Sequence, residues 1–116
     1  MTIEDELRTV ARETPQSEWD ALDGIEILFD PAQLYKKAIF LWGMDSQIDM
    51  MIEECAEAIH ALQKLKRDRI SVDDVAFELA DVEIMCGQMR VVFGDRIIDK
   101  CKKIKLKRLS CRLCRQ

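Results

Sequence analysis

From residue 31 onward, apolar residues recur in steps of three and four, and that period breaks only at Gly43, around Ser71 and at Gly94. Such spacing lines side chains along one face of an α-helix. No stretch sustains the apolar–polar alternation of a half-buried strand. Four glycines and two prolines are the only strong punctuation in 116 residues. The chain is therefore expected to be all-α, with short connections between helices.

The boundaries follow from local chemistry. Asp30 suits an N-cap, Pro31 the first helical position, and Gln33 completes a capping box. That helix is expected to run to about Trp42 and to stop at Gly43. A second should start at Asp45 or Ser46 and reach about Arg67, with Ile48, Ile52, Cys55, Ile59 and Leu62 as its apolar stripe. A third should begin after Ser71, with Asp74 as capping partner. Its stripe is Val72, Val75, Leu79, Val82, Cys86, Met89 and Phe93. A fourth should run from about Asp95 with Ile97, Cys101 and Ile104 on one face. Four helices with short loops predict an antiparallel four-helix bundle. The third helix also carries Phe77, Ala80, Ile84 and Val91 off its stripe, so it needs more than one partner. That surplus predicts a homodimer or homotetramer; the alternative is packing under the N-terminal extension. The extension, residues 1–30, is acidic and weakly periodic, with a short helix expected near 3–12 and a break at Thr14-Pro15. Residues 31–116 form the helical domain.

Composition narrows the class. With 48% hydrophobic and 34% charged residues, the chain is not a disordered one. No apolar run approaches the roughly 18–20 residues of a membrane helix. The start, Met1-Thr2-Ile3-Glu4-Asp5-Glu6, lacks the apolar stretch of a signal peptide, so a cytoplasmic location is expected. Five cysteines are present, and only Cys111 and Cys114 have metal-like spacing. A zinc site would have to recruit Cys101 and the single histidine, His60, so reduced thiols are the simpler reading. Charge is strongly segregated. Residues 1–99 hold all 22 acids and 10 bases, a net of −12, whereas residues 100–116 hold 8 bases and no acid, a net of +8. The basic segment reads as a solvated helical face, as a polyanion-binding tail, or as a source of cations for phosphates beside an acidic centre.

That centre is legible on two helices. The second contains Glu53-Glu54-Cys55-Ala56-Glu57 and the third Glu78-Leu79-Ala80-Asp81. Residues three apart share a helix face, so Glu54 projects with Glu57 and Glu78 with Asp81. Each pair sits one residue off its apolar stripe. If the stripes face each other across a hairpin, both pairs border one seam. Four crowded carboxylates repel, and cations relieve the repulsion. Their hard oxygens suit Mg²⁺ or Mn²⁺, which commonly join carboxylates to phosphates. Glu53 is a candidate to orient a water or a ligand.

At these residues the sequence resembles the MazG-like all-α nucleoside triphosphate pyrophosphohydrolase superfamily, related to dimeric dUTPases and dCTP pyrophosphatases. The shared pattern is Glu53-Glu54-x-x-Glu57, then 20 residues, then Glu78-x-x-Asp81. Trp42-Gly43 and Gln47 match residues that tend to precede the first motif. The likeness covers about residues 40–109. It implies hydrolysis of a nucleoside triphosphate to monophosphate and pyrophosphate with Mg²⁺ held by Glu54, Glu57, Glu78 and Asp81. Lys105 and Arg108 fit the basic residues of the last helix, whereas Lys103 stands where many members have Asn. Trp42 and Gln47 are candidate base contacts, a stacking surface and a donor–acceptor.

Two rival readings remain. Glu57-x-x-His60 matches half of a ferritin-like di-iron site, which two copies would complete. Alternatively, the bundle is a non-enzymatic module that binds a partner through its basic last helix. Nucleic-acid binding is not expected on the hydrolase reading.

Overall fold

The computed structural model describes residues 30–116, which form four helices: α1 (Pro31–Trp42), α2 (Met44–Lys66), α3 (Val72–Phe93) and α4 (Asp95–Cys114). The extension expected to hold a helix near 3–12 lies outside the described residues. Among the described residues there is no strand, and no helix is long and apolar enough to cross a membrane.

The capping chemistry sets the ends. The Gln33 backbone N–H donates to Asp30 Oδ1 at 2.8 Å, and the Asp30 N–H donates to Gln33 Oε1 at 3.0 Å, the reciprocal box expected. The Asp74 N–H donates to Ser71 Oγ at 3.1 Å, and that hydroxyl donates to Asp74 Oδ2 at 3.0 Å. Gly43 and Gly94 take φ of +86° and +101°, a region closed to most side chains, and each turns the chain with no intervening loop. Asp68 also has a positive φ, 55°, in the turn between α2 and α3, a position aspartate tolerates better than most residues.

The bundle is organised around the α2–α3 hairpin. Glu54 lies beside Asp81 and Glu57 beside Glu78, so the two helices run antiparallel. α1 crosses α3 at Gly87, where the Tyr35 ring lies where a Cβ would be, with ring atoms at 2.6 and 2.7 Å from that position. Only glycine permits this approach. α4 meets α3 at its beginning, where Arg90 Nη1 donates to Asp99 Oδ1 at 2.7 Å and Asp95 Oδ1 at 3.3 Å. From Asp99 onward every residue of α4 is exposed. The radius of gyration, 17.7 Å, accordingly exceeds the roughly 13 Å of a compact chain of about this length.

One expectation needs correcting. The inward face of α2 is not centred on Ile48, Ile52, Cys55, Ile59 and Leu62. It is Gln47, Met51, Glu54, Ala58, Ala61 and Leu65, one residue earlier at each step. Ile52 and Ile59 are 62% and 58% exposed. On α3 the expected stripe holds at Val75, which is buried, and at Val72, Val82 and Met89, which are half-buried, but Glu78 and Met85 also turn inward while Leu79, Cys86 and Phe93 are exposed. Ala58 and Ala61, at 6% and 4% exposure, are the most deeply buried apolar residues of α2, so small side chains form the centre of its inward face, with Met51 and Leu65 flanking them.

Candidate metal centre

The way α2 and α3 meet moves the acids from the edge of the seam into it. One carboxylate oxygen from each of Glu54, Glu78 and Asp81 lies within 4.8 Å of the others. Among the described residues this is the one group of three or more histidines, cysteines or acids with metal-like proximity. Glu57 lies outside that group of three but close enough for its charge to act on both Glu54 and Glu78.

The electrostatics show the strain of this arrangement. Burial, followed by the charges of Asp81 and Glu57, pushes the Glu54 carboxyl up to about 7 from its ordinary 4.5. Burial and then Glu57 raise Glu78 as well, with Asp81 and Asp74 adding to the effect. The charges that raise these two carboxyls are those of other acids: Asp81, Glu57 and Glu78 for Glu54, and Glu57, Asp81 and Asp74 for Glu78. Glu54 Oε2 and Glu78 Oε2 are both shielded from solvent and have no hydrogen-bond partner. Buried polar atoms in folded proteins are almost always paired, so each of these oxygens would suit either a proton or a positive partner. An all-oxygen, multiply anionic donor set fits a hard divalent cation such as Mg²⁺ or Mn²⁺.

The other candidates are distributed around this centre. Glu53 is exposed, one turn before Glu57 on the same flank of α2. Gln47 is 4% exposed, two turns before Glu54 on the same face, and its Nε2 donates to Ser46 Oγ at 3.3 Å. Trp42 closes α1 and lines a groove between α1 and α3. Lys105 and Arg108 lie on the exposed length of α4. His60 is exposed and outside the acidic cluster. All five cysteines are free, and Cys101, Cys111 and Cys114 are exposed without forming a metal group with His60.

Sequence reasoning missed Gln88. It is 6% exposed and its Oε1 has no partner. Its signal was available: a polar residue seven positions after Asp81 in an otherwise apolar stretch. No protein-family model, no curated protein and no solved structure matches the chain.

Proposed function

We propose that this protein is a metal-dependent nucleoside triphosphate pyrophosphohydrolase. The observation that carries the reading is the cluster of Glu54, Glu78 and Asp81, with two buried carboxylate oxygens lacking any partner and Glu57 close enough to act on Glu54 and Glu78. The resemblance of the double acidic motif to MazG-like enzymes supports it. Glu54, Glu57, Glu78 and Asp81 are the residues that would hold Mg²⁺, with Mn²⁺ as a substitute. Such a cation neutralises charge on phosphoryl oxygens and lowers the pKa of a water it binds. In the overall reaction one water adds across a phosphoanhydride, giving nucleoside monophosphate and pyrophosphate.

The chain's own residues divide the remaining work. The acids fix the position of the triphosphate relative to the seam. Glu53, exposed beside Glu57, orients the attacking water and accepts its proton. Gln47 and Trp42 stand on the base side of the site. Lys105 and Arg108 bind outer phosphate oxygens, Arg108 through its two-pronged guanidinium. Because α4 extends away from α2, these cations reach the acids when α4 lies against a second copy. Exposed Ile52, Ile59, Leu62 and Leu79 give that copy an apolar surface to cover, hence a homodimer or homotetramer. The compartment is the cytoplasm, where such an enzyme would clear unwanted nucleotides.

A panel of standard and damaged nucleoside triphosphates with Mg²⁺ tests the reading. Pyrophosphate should be released from at least one, and EDTA should stop it. Release of orthophosphate alone identifies a different reaction. The second reading, a non-enzymatic binding module, is favoured by the full exposure of α4 and its net charge of +8 over residues 100–116. Absence of turnover across the panel, with salt-sensitive binding to a polyanion, would establish it. The di-iron reading gains nothing from an exposed His60 outside the cluster.

A further inference from the structure

Between α1 and α3 runs an open groove of about 490 Å³, lined by Pro31, Leu34, Ala38 and Leu41 of α1 and by Ile84 of α3. Leu34, Leu41 and Ile84 are 42%, 71% and 46% exposed. Apolar surface left against water is unfavourable in proportion to its area, so a groove of this composition favours an apolar occupant.

The groove begins where the N-terminal extension ends. Pro31, the first residue of α1, lines it, and Asp30 caps that helix through its reciprocal bonds with Gln33. At a helix start of this kind, a large apolar residue just before the cap often packs on the fourth residue of the helix and fixes the angle at which the chain enters. Here those two residues are Phe29 and Leu34, and Leu34 lines the groove.

The residues before Phe29 suit the same surface. Ile25-Glu26-Ile27-Leu28-Phe29 holds four large apolar side chains in five and no base. Ile25, Ile27 and Phe29 are two apart, the spacing that puts side chains on one side of an extended segment. The lengths also agree. Leu34 and Leu41 are seven residues apart on α1, hence about 10.5 Å. Five extended residues span up to about 17 Å. These residues are tethered to the mouth of the groove through Asp30, so they meet it at a high effective concentration, which a second copy must match by association.

We infer that residues 25–29 of this chain occupy the α1–α3 groove, with Phe29 packed on Leu34 and Ile27 further along toward Ala38. The segment turns back at Asp30 and runs antiparallel to α1. The inference is independent of any reaction at the acidic cluster. It also directs assembly: a second copy meets the outer face of α2 and α3, at Ile52, Ile59 and Leu79, and not this groove.

The test uses the full chain with a photoreactive benzophenone amino acid in place of Phe29 or, in a second protein, of Ile27. Equal amounts of unlabelled and ¹⁵N-labelled chain are mixed and irradiated, and the joined peptides are read by mass spectrometry. Crosslinks to Leu34, Ala38, Leu41 or Ile84 should form, each within one isotope. Groove crosslinks that join labelled to unlabelled chains overturn the inference and assign the groove to a second copy. Crosslinks confined to other surfaces, or none at all, overturn it as well. Thermal melts give a second measure without the probe. Phe29→Ala should lower Tm by at least about 4 °C. The same change should cost clearly less in a Leu34→Ala background, where its partner is already gone. No loss of Tm, or an equal loss in both backgrounds, overturns the packing of Phe29 on Leu34.

Discussion

Replacing Asp81 by asparagine removes one charge from the acidic cluster and keeps its shape. The carboxylate oxygens of Glu54, Glu78 and Asp81 lie within 4.8 Å of one another. At that separation two unit charges repel by about 1 kcal/mol in water and about 3.5 kcal/mol at an effective dielectric of about 20. Asp81 is exposed, so the lower figure applies, and the raised carboxyls of Glu54 and Glu78 already relieve part of the repulsion by holding protons. Metal-free Asp81→Asn should therefore gain up to about 1 kcal/mol, a rise in Tm of roughly 4–8 °C for a domain of this size. Turnover should move the other way. Charge stabilisation by a bound cation is worth several kcal/mol, so losing a ligand should lower kcat by about 10²- to 10⁴-fold. Added Mg²⁺ should raise the Tm of the parent more than that of the variant, because a ligand stabilises the state that binds it. Thermal melts in EDTA and across a Mg²⁺ titration, beside a pyrophosphate-release assay, measure all three. Solvated acids with no ligand role would change stability by no more than about 0.5 kcal/mol and leave activity near normal. Normal turnover with an identical Mg²⁺ response would refute the metal site, and Glu57→Gln should behave as Asp81→Asn does.

Three other outcomes are expected. Glu54, at about 7, and Glu78 are raised in the folded protein, so above pH 4.5 the folded state holds more protons than the unfolded one. Stability of the metal-free protein should thus be greatest near pH 4.5 and fall as pH rises to about 7, with the slope reduced in Glu54→Gln; denaturant titrations showing a flat or rising trend would contradict this. Alanine at both Lys105 and Arg108 should lower kcat/KM at least about tenfold with little change in Tm, because both are exposed; wild-type kcat/KM would leave α4 as a solvated face. Gly87→Ala would place a methyl group against the Tyr35 ring, costing about 1–3 kcal/mol of overpacking against about 1 kcal/mol of helix propensity gained. Its Tm should fall, and a rise would mean that α1 does not cross at this glycine.

Most of the architecture was legible because it depends on local chemistry. Asp30 with Gln33, Ser71 with Asp74, and the glycines at 43 and 94 act within four residues of themselves. The identity of the acids was legible for the same reason, since spacing on one helix fixes which side chains share a face. Helix rotation was not. It depends on how two helices meet, and there the small side chains of Ala58 and Ala61 outweighed the stripe of isoleucines. Hydrophobicity alone placed Ile52 and Ile59 inside, but alanines hold the centre of the inward face. Gln88 was legible as a polar residue among Ile84, Met85, Cys86 and Met89, but that its oxygen lacks a partner depends on packing, which a sequence does not record. The course of α4 was also hidden, since Arg90 reaches forward to Asp95 and Asp99 and fixes its departure from α3.

The two features that look like defects in this fold have a single origin. The way α2 and α3 meet brings Glu54 and Glu78 into the seam and leaves Ile52, Ile59, Leu79 and Phe93 facing outward. The first is tolerable when a cation lies between the carboxylates; the second is tolerable when another surface covers the isoleucines. Both conditions act on the same pair of helices. A cation that draws α2 and α3 together also fixes the apolar face on their outer side. Metal binding and assembly should therefore reinforce each other, with a coupling that is reciprocal by thermodynamic necessity. On the proposed reading such a protein would be least stable as a metal-free single chain and would gain stability when cation and a second copy bind. On the hydrolase reading, that is when the positive charge of α4 is needed beside the phosphates.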